Sequence, residues 1–142
     1  MSATRAMSPG LLAWLRLARV YQKIDRASAV HLRGWGLSVA QFDVLARVGG
    51  RPGMTQQELA ESLLVTKGNV CQLLDRMEAD GLIERRRQGR AKRLHLTPRG
   101  QALFAEVVPA QERMVERLFG VLDPNAQREL LALLRDLDRR VQ

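Results

Sequence analysis

Residues 54–80 read MTQQELAESLLVTKGNVCQLLDRMEAD, and they decide the fold. Thr55 followed by Glu58 is a capping-box pattern that starts one short helix, and Thr66 is a favourable N-cap for a second. The apolar positions repeat every three or four residues. They are Leu59, Ala60 and Leu63 in the first helix, then Val70, Leu73, Leu74 and Met77 in the second. Since only about three residues join these helices, the pattern predicts a helix-turn-helix.

The second helix leaves polar residues facing outward near its start, and we expect them to contact DNA. Asparagine and glutamine side chains can bond adenine bidentately, and lysine can bond guanine. Free N–H groups around Thr66 can also bind a phosphate. The alternative is a solvated polar face on an ordinary helix. The predicted DNA-contacting residues are Thr66, Lys67, Gly68, Asn69, Gln72 and Arg76.

A basic hairpin is predicted directly after this helix, with strands over 82–87 and 90–96. With Gln88-Gly89 as its loop, Ile83 faces Leu94 and Glu84 faces Arg93. The same pairing sets Arg85 against Lys92 and Arg87 against Arg90. Like charges directly opposed destabilise a strand pair, so DNA phosphates are the expected counter-charge. Edge protection against aggregation is the alternative reading. The predicted contacts are Arg85, Arg86, Arg87, Arg90, Lys92 and Arg93.

The composition agrees with a polyanionic partner. The net charge is +8, and six of the 23 basic residues lie between Arg85 and Arg93, where there is no acid. A single cysteine excludes an intrachain disulfide. The chain carries no secretory pattern and no apolar run long enough to cross a membrane, so we expect a soluble, cytoplasmic protein. No nucleophile–base pair, phosphate loop or metal-ligand cluster is evident, so we expect no enzyme, cofactor or metal.

The flanking residues predict four more helices. The fold class is therefore mainly α, an α+β winged helix with about six helices and a β-hairpin wing. Helices are expected over 11–34, from the capping box Ser38–Gln41, from Thr97-Pro98 to about Gly120, and from Asp123-Pro124 onward. The terminal helices carry apolar stripes too large for a small core to cover, which predicts a two-fold homodimer. We assign 1–36 and 98–142 to dimerisation and 37–97 to DNA binding.

Five segments together resemble the MarR family of transcriptional regulators. They are Leu37–Leu45, Met54–Leu63, Val65–Glu78, Gly81–Arg85 and Leu96–Gly100. The resemblance implies a homodimer on a near-palindromic operator, commonly a repressor released by a small aromatic or phenolic ligand. The hairpin tip departs from the family, because Arg87-Gln-Gly-Arg90 is short and lacks the usual Asp-x-Arg segment.

Two kinds of sensor are open at this stage. The resemblance places an aromatic-ligand pocket between the first two helices, the fifth helix and the DNA-binding region. Candidates by position are Trp14, Tyr21, Arg26, His31, Trp35 and Asp43, with core packing or structural ion pairs as the alternative. Cys71 near the DNA-facing side could respond to oxidation, although buried structural cysteine is commoner. A non-sensing architectural DNA binder and a module that binds an acidic protein are the other hypotheses.

Overall fold

The computed structural model describes residues 5–63 and 67–141, which form a mainly helical fold with one β-hairpin. This confirms the predicted winged-helix class. The elements are α1 (Pro9–Leu32), a 3₁₀ turn (Arg33–Trp35), α2 (Val39–Gly50), α3 (Gln56–Ser62), α4 (Lys67–Ala79), β1 (Ile83–Gln88), β2 (Ala91–Leu96), α5 (Pro98–Phe119) and α6 (Pro124–Arg140).

Side-chain caps set where the helices begin. At α2 the capping box is complete, since Gln41 N donates to Ser38 Oγ over 3.1 Å and Ser38 N donates to Gln41 Oε1 over 2.9 Å. At α3 only half of the predicted box forms. Glu58 N donates to Thr55 Oγ1 over 3.1 Å, but the Glu58 carboxylate pairs with Arg51 instead of bonding the Thr55 N–H. An attractive cation nearby therefore overrides the local pattern.

One apolar core joins the helix-turn-helix, the hairpin, α2 and the end of α1. Its fully enclosed side chains include Leu32, Leu45, Leu59, Leu74, Met77, Ile83 and Leu94. The predicted inner residues of α3 and α4 are buried or half-buried against this core. By contrast, most of the predicted α1 stripe from Leu11 to Tyr21 is exposed in the single chain.

The hairpin register differs from the prediction by two residues. Arg85 lies opposite Leu94, Arg86 opposite Arg93, and Arg87 opposite Lys92. The two-residue loop is therefore Gly89-Arg90 and not Gln88-Gly89. Gly89 has φ +61°, and a tight hairpin loop with glycine at its first position accepts that positive φ without a Cβ penalty. Two like-charge pairs remain, although their members change.

The chain forms two compact units, Met1–Gln111 and Glu112–Gln142. Pro109 lies inside α5, which continues through it to Phe119. In the second unit the carboxylate of Asp123 caps α6 by accepting from Ala126 N over 2.8 Å. The functional division into 1–36, 37–97 and 98–142 stays a prediction.

Gly100 is the tightest backbone contact in the first unit and gives a stability prediction. A Cβ at this position would lie 2.0 Å from the carbonyl oxygen of Leu82. That oxygen accepts from Thr97 N and cannot move without opening the junction of the hairpin and α5. Gly100→Ala should lower the free energy of unfolding by about 2 kcal/mol or more, the usual cost of overpacking.

Gly50→Ala is the matched control, because Gly50 is also helical and no atom lies within 4 Å of its added Cβ. It should be neutral or stabilise by up to about 1 kcal/mol through helix propensity. Urea unfolding of both variants measures the difference. Equal stabilities would mean that Gly100 does not lie so close to the Leu82 carbonyl.

Candidate nucleic-acid interface

The second helix of the helix-turn-helix, α4, is oriented by three buried residues. Val70, Leu74 and Met77 are 0 or 1% exposed and pack into the core. With 3.6 residues per turn, these positions place the residues between them on the opposite side of the helix. Asn69, Gln72 and Arg76 all lie on that exposed side, as predicted. Their spacing of three and four residues forms one polar stripe along α4.

Of the three contacts predicted around the start of this helix, Thr66 falls outside the described residues, as do Leu64 and Val65. Lys67 and Gly68 belong to the first turn of α4. Lys67 thus precedes the polar stripe directly, at the end of α4 that a helix-turn-helix inserts into the major groove.

A surface hydrogen bond links the two helices of the motif. Gln56 at the start of α3 donates from Nε2 to Cys71 Sγ over 3.1 Å. Cys71 is exposed, so it is not the buried structural cysteine of the alternative reading. Its side chain is exposed on the part of the α4 surface that faces Gln56 of α3.

The wing is attached to the helix-turn-helix along β2. Gly53 N donates to Leu94 O over 2.9 Å, and Leu94 N donates to Met54 O over 2.8 Å. Thr55 also bridges to Arg93 in antiparallel fashion. The segment that precedes α3 therefore acts as a short third strand. This pairing places the base of the wing beside the recognition motif.

The six basic residues of the wing fall into two groups. Arg85 pairs with Asp75 of α4 over 2.5 Å, and its side chain is only 15% exposed. Arg93 donates from Nη1 to Gly53 O over 2.9 Å, and Arg86 pairs with Glu84 on its own strand. These three arginines have partners within the chain.

The second group is the wing tip, which consists of Arg87, Arg90 and Lys92. All three are exposed, and none forms an ion pair among residues 5–63 and 67–141. Arg87 and Lys92 also lie directly opposite each other, so their charges repel. A bound anion such as a DNA phosphate would relieve this repulsion. The sequence alone does not separate these two groups, because the partners of Arg85 and Arg93, namely Asp75 and the Gly53 carbonyl, are brought to the hairpin by folding.

The six ligand candidates do not converge on one pocket. Trp14 and Tyr21 are 61% and 60% exposed on α1, and Arg26 is exposed as well. His31 and Trp35 do meet, edge to face, with ring centroids 5.0 Å apart. Trp35 Nε1 also donates to Glu106 Oε1 over 3.1 Å.

His31 and Asp43 have local roles in the described structure. His31 Nδ1 lies 2.8 Å from Gln111 Oε1, and Gln111 Nε2 donates to the buried Ser28 Oγ over 2.9 Å. This polar chain ties α1 to α5. Burial raises the pKa of Asp43, and the negative charge of Asp25 adds to that increase while Arg47 opposes it.

A cleft of about 630 Å³ lies next to Trp35, the only one of the six candidates in its lining. Its polar side chains come from α2, the end of α4 and α5, namely Gln41, Asp80, Arg99 and Glu106. The sequence analysis did not predict these cleft residues, because Gln41 carries the signal of a helix cap. The one available signal was the seven-residue spacing of Arg99 and Glu106, which puts both side chains on one face of α5.

Two other kinds of functional feature are absent from the described part of the chain. No helix there is both long and apolar enough to cross a membrane. Within the same residues, no three or more histidine, cysteine or acidic side chains are grouped as metal ligands.

Comparisons with known proteins agree with this geometry. A sequence profile of the MarR family matches residues 35–94. A helix-turn-helix transcriptional regulator of Bacillus cereus is 35% identical over 126 residues, which is 88% of this chain and 86% of the relative. The fold also matches FabT of Streptococcus pneumoniae, solved in complex with DNA, at a TM-score of 0.77 and 24% identity, covering 91% of this chain and 94% of FabT.

A further structural match is an organohalide-sensing regulator solved with 2,4-dichlorophenol bound. Its TM-score is 0.83 at 22% identity, over 96% of this chain and 83% of the regulator. At these identities the structural matches establish the fold.

The unpaired wing tip gives a testable prediction. Replacing Arg87, Arg90 and Lys92 together with glutamine should weaken binding to all duplex DNA. The slope of log affinity against log salt should flatten by about 0.9 for each phosphate that the variant no longer neutralises. Fluorescence anisotropy on a random-sequence duplex, from low to high salt, measures this slope.

Lys23→Gln is the control, since it removes a positive charge from exposed α1, away from the wing. It should leave the slope unchanged. A triple tip variant with the native slope would remove the wing tip from the DNA interface.

Proposed function

The chain belongs to the MarR family of transcriptional regulators, and we propose that it binds a near-palindromic operator as a homodimer and acts as a ligand-released repressor. In this proposal Asn69, Gln72 and Arg76 read base edges in the major groove, with Lys67 and Thr66 at the helix start. The wing tip binds backbone phosphates. The observation that carries the proposal is the exposed polar stripe on α4, together with three wing-tip cations that form no ion pair among the described residues. Because such a regulator acts on chromosomal DNA, we place it in the cytoplasm.

The dimer is supported by apolar residues that the single chain leaves exposed. On α1 they are Leu11, Leu12, Trp14, Leu15, Leu17, Val20 and Tyr21, each 37–61% exposed. In the second unit, Leu131, Leu133 and Leu137 of α6 are 46–69% exposed. Apolar surface of this extent on a helix is unfavourable in water and is typical of a subunit interface. A two-fold axis would place the recognition helices about 34 Å apart, one turn of DNA.

Release by a small ligand is supported by one structural match and by one cleft in this chain. The fold accommodates a chlorophenol in the organohalide-sensing regulator, and the cleft beside Trp35 has room for a small ring. Trp14, Tyr21 and Arg26 lie on exposed α1. In the proposed dimer a partner subunit would have to cover them before they could enclose a ligand.

Two other functions have specific support. Redox control through Cys71 is favoured by the exposure of this cysteine on α4. An architectural, sequence-independent binder is favoured by the concentration of positive charge at the wing tip. This second function does not need the polar stripe on α4.

Selection of binding sites from random duplexes separates these functions. The native protein should enrich a palindrome whose half-sites are centred about 10 base pairs apart, bound by two chains. Mass measurement of the free protein should give a dimer. Binding without a consensus would support the architectural function, and no binding to any duplex would contradict a DNA-binding role. A selected site bound by one chain would contradict the dimer.

A further inference from the structure

Arg85 occupies an unusual place in the hairpin. It lies opposite Leu94, and its neighbours two residues along the same strand face include the buried Ile83. The arginine is therefore on the core side of β1, where its side chain is mostly covered. Its guanidinium lies at the edge of the core beside α4, within ion-pair distance of two acidic side chains.

Two carboxylates of α4 surround this guanidinium. Arg85 Nη2 lies 2.5 Å from Asp75 Oδ1, and Nε lies 4.0 Å from Glu78 Oε2. Asp75 and Glu78 are three residues apart and so share a face of the helix. The Nε atom itself is buried and makes no hydrogen bond within the described structure. A phosphate on the protein surface could not reach that buried atom.

The charges of this cluster also bear on DNA binding. Asp75 and Glu78 place two negative charges on the helix proposed to enter the major groove, where each repels phosphates. Arg85 neutralises part of this charge. Since Asp75 is 69% exposed, it could be replaced at little cost if it had no structural role.

The short tip makes the angle of the wing important. From Arg85 to the loop at Gly89 the strand extends about 13 Å. A tilt of about 10° at Arg85 would therefore move the tip by about 2 Å. Hydrogen bonds to phosphate keep good geometry over only about 0.5 Å. A fixed angle between β1 and α4 therefore reduces the adjustment that the tip side chains must make to bind phosphate while α4 is in the groove.

We infer that Arg85 is a positioning residue that fixes the wing to α4 through Asp75, and not a phosphate contact. The inference rests on the proposed DNA-binding function. It replaces the sequence-based expectation that Arg85 contacts DNA. It also assigns a role to Asp75, an acid on a helix whose binding to DNA would be favoured by positive charge.

Removing the carboxylate of Asp75 is expected to change operator affinity in opposite directions for the two possible roles of Arg85, phosphate contact and wing positioning. If Arg85 contacts phosphate, Asp75→Ala should leave affinity unchanged or raise it, because a negative charge near DNA is removed. If Arg85 positions the wing, Asp75→Ala and Arg85→Gln should each weaken operator binding by about five- to tenfold, the order expected for a partly buried ion pair. The salt slope should stay native in both, and the double variant should be no weaker than either single variant.

Glu61→Ala is the matched control, since Glu61 is an exposed acid on the neighbouring helix α3 and forms no ion pair among the described residues. It should bind as tightly as the native protein or more tightly. A flatter salt slope in Arg85→Gln, with native or tighter binding in Asp75→Ala, would overturn the inference. Asp75 is on the surface, so its variant should fold even if Arg85→Gln does not.

A measurement without DNA separates this inference from the proposed function. Amide hydrogen exchange in β1 and β2 should become faster in Asp75→Ala and Arg85→Gln, while exchange in α2 stays native. Glu61→Ala should leave hydrogen exchange in the wing unchanged. Unchanged wing exchange in both variants would overturn the positioning role, whether or not the native protein selects an operator.

Discussion

The burial of Val70, Leu74 and Met77 in one core with Leu59 and Ile83 is the constraint on which the rest depends. This packing fixes the rotation of α4 about its own axis. Once these side chains are inside, helical geometry leaves Asn69, Gln72 and Arg76 outside. The same core also contains the first residue of β1, so packing that stabilises the domain also determines which residues DNA can meet.

Charge in the wing is distributed by the same packing. At the base, Arg85 and Arg93 bond to Asp75 and to the Gly53 carbonyl and hold the hairpin against α4 and the segment before α3. At the tip, like charges remain opposed without a partner among the described residues. The arginines at the base of the hairpin have partners that hold it in place, whereas the positive charges at the tip repel each other. Binding of an anion at the tip would therefore stabilise the hairpin further.

The sequence predicted the helices, the helix-turn-helix and the polar stripe, because caps and apolar periodicity are local signals. The predicted pairing of the two hairpin strands was wrong by two residues. The pairing depends on the position of Gly89, whose positive φ places it first in the two-residue loop. The half-formed cap at Glu58 and the ion pair of Arg85 depended on side chains brought close only by folding. The six ligand candidates were predicted from the family resemblance and not from local signals in the sequence. They do not form one pocket, because Trp14 and Tyr21 are exposed on α1 in the single chain.

The central claim is that α4 supplies sequence selection while the wing tip supplies general affinity. Its most direct test is the ratio of affinities for the selected operator and a scrambled duplex at one salt concentration. Asn69→Ala and Gln72→Ala should each weaken operator binding about tenfold and leave scrambled binding nearly unchanged, since bidentate base contacts contribute on the order of 1–3 kcal/mol. Lys92→Gln should weaken both and leave the ratio intact. An unchanged ratio in the two α4 variants, or a lower one in Lys92→Gln, would contradict the account.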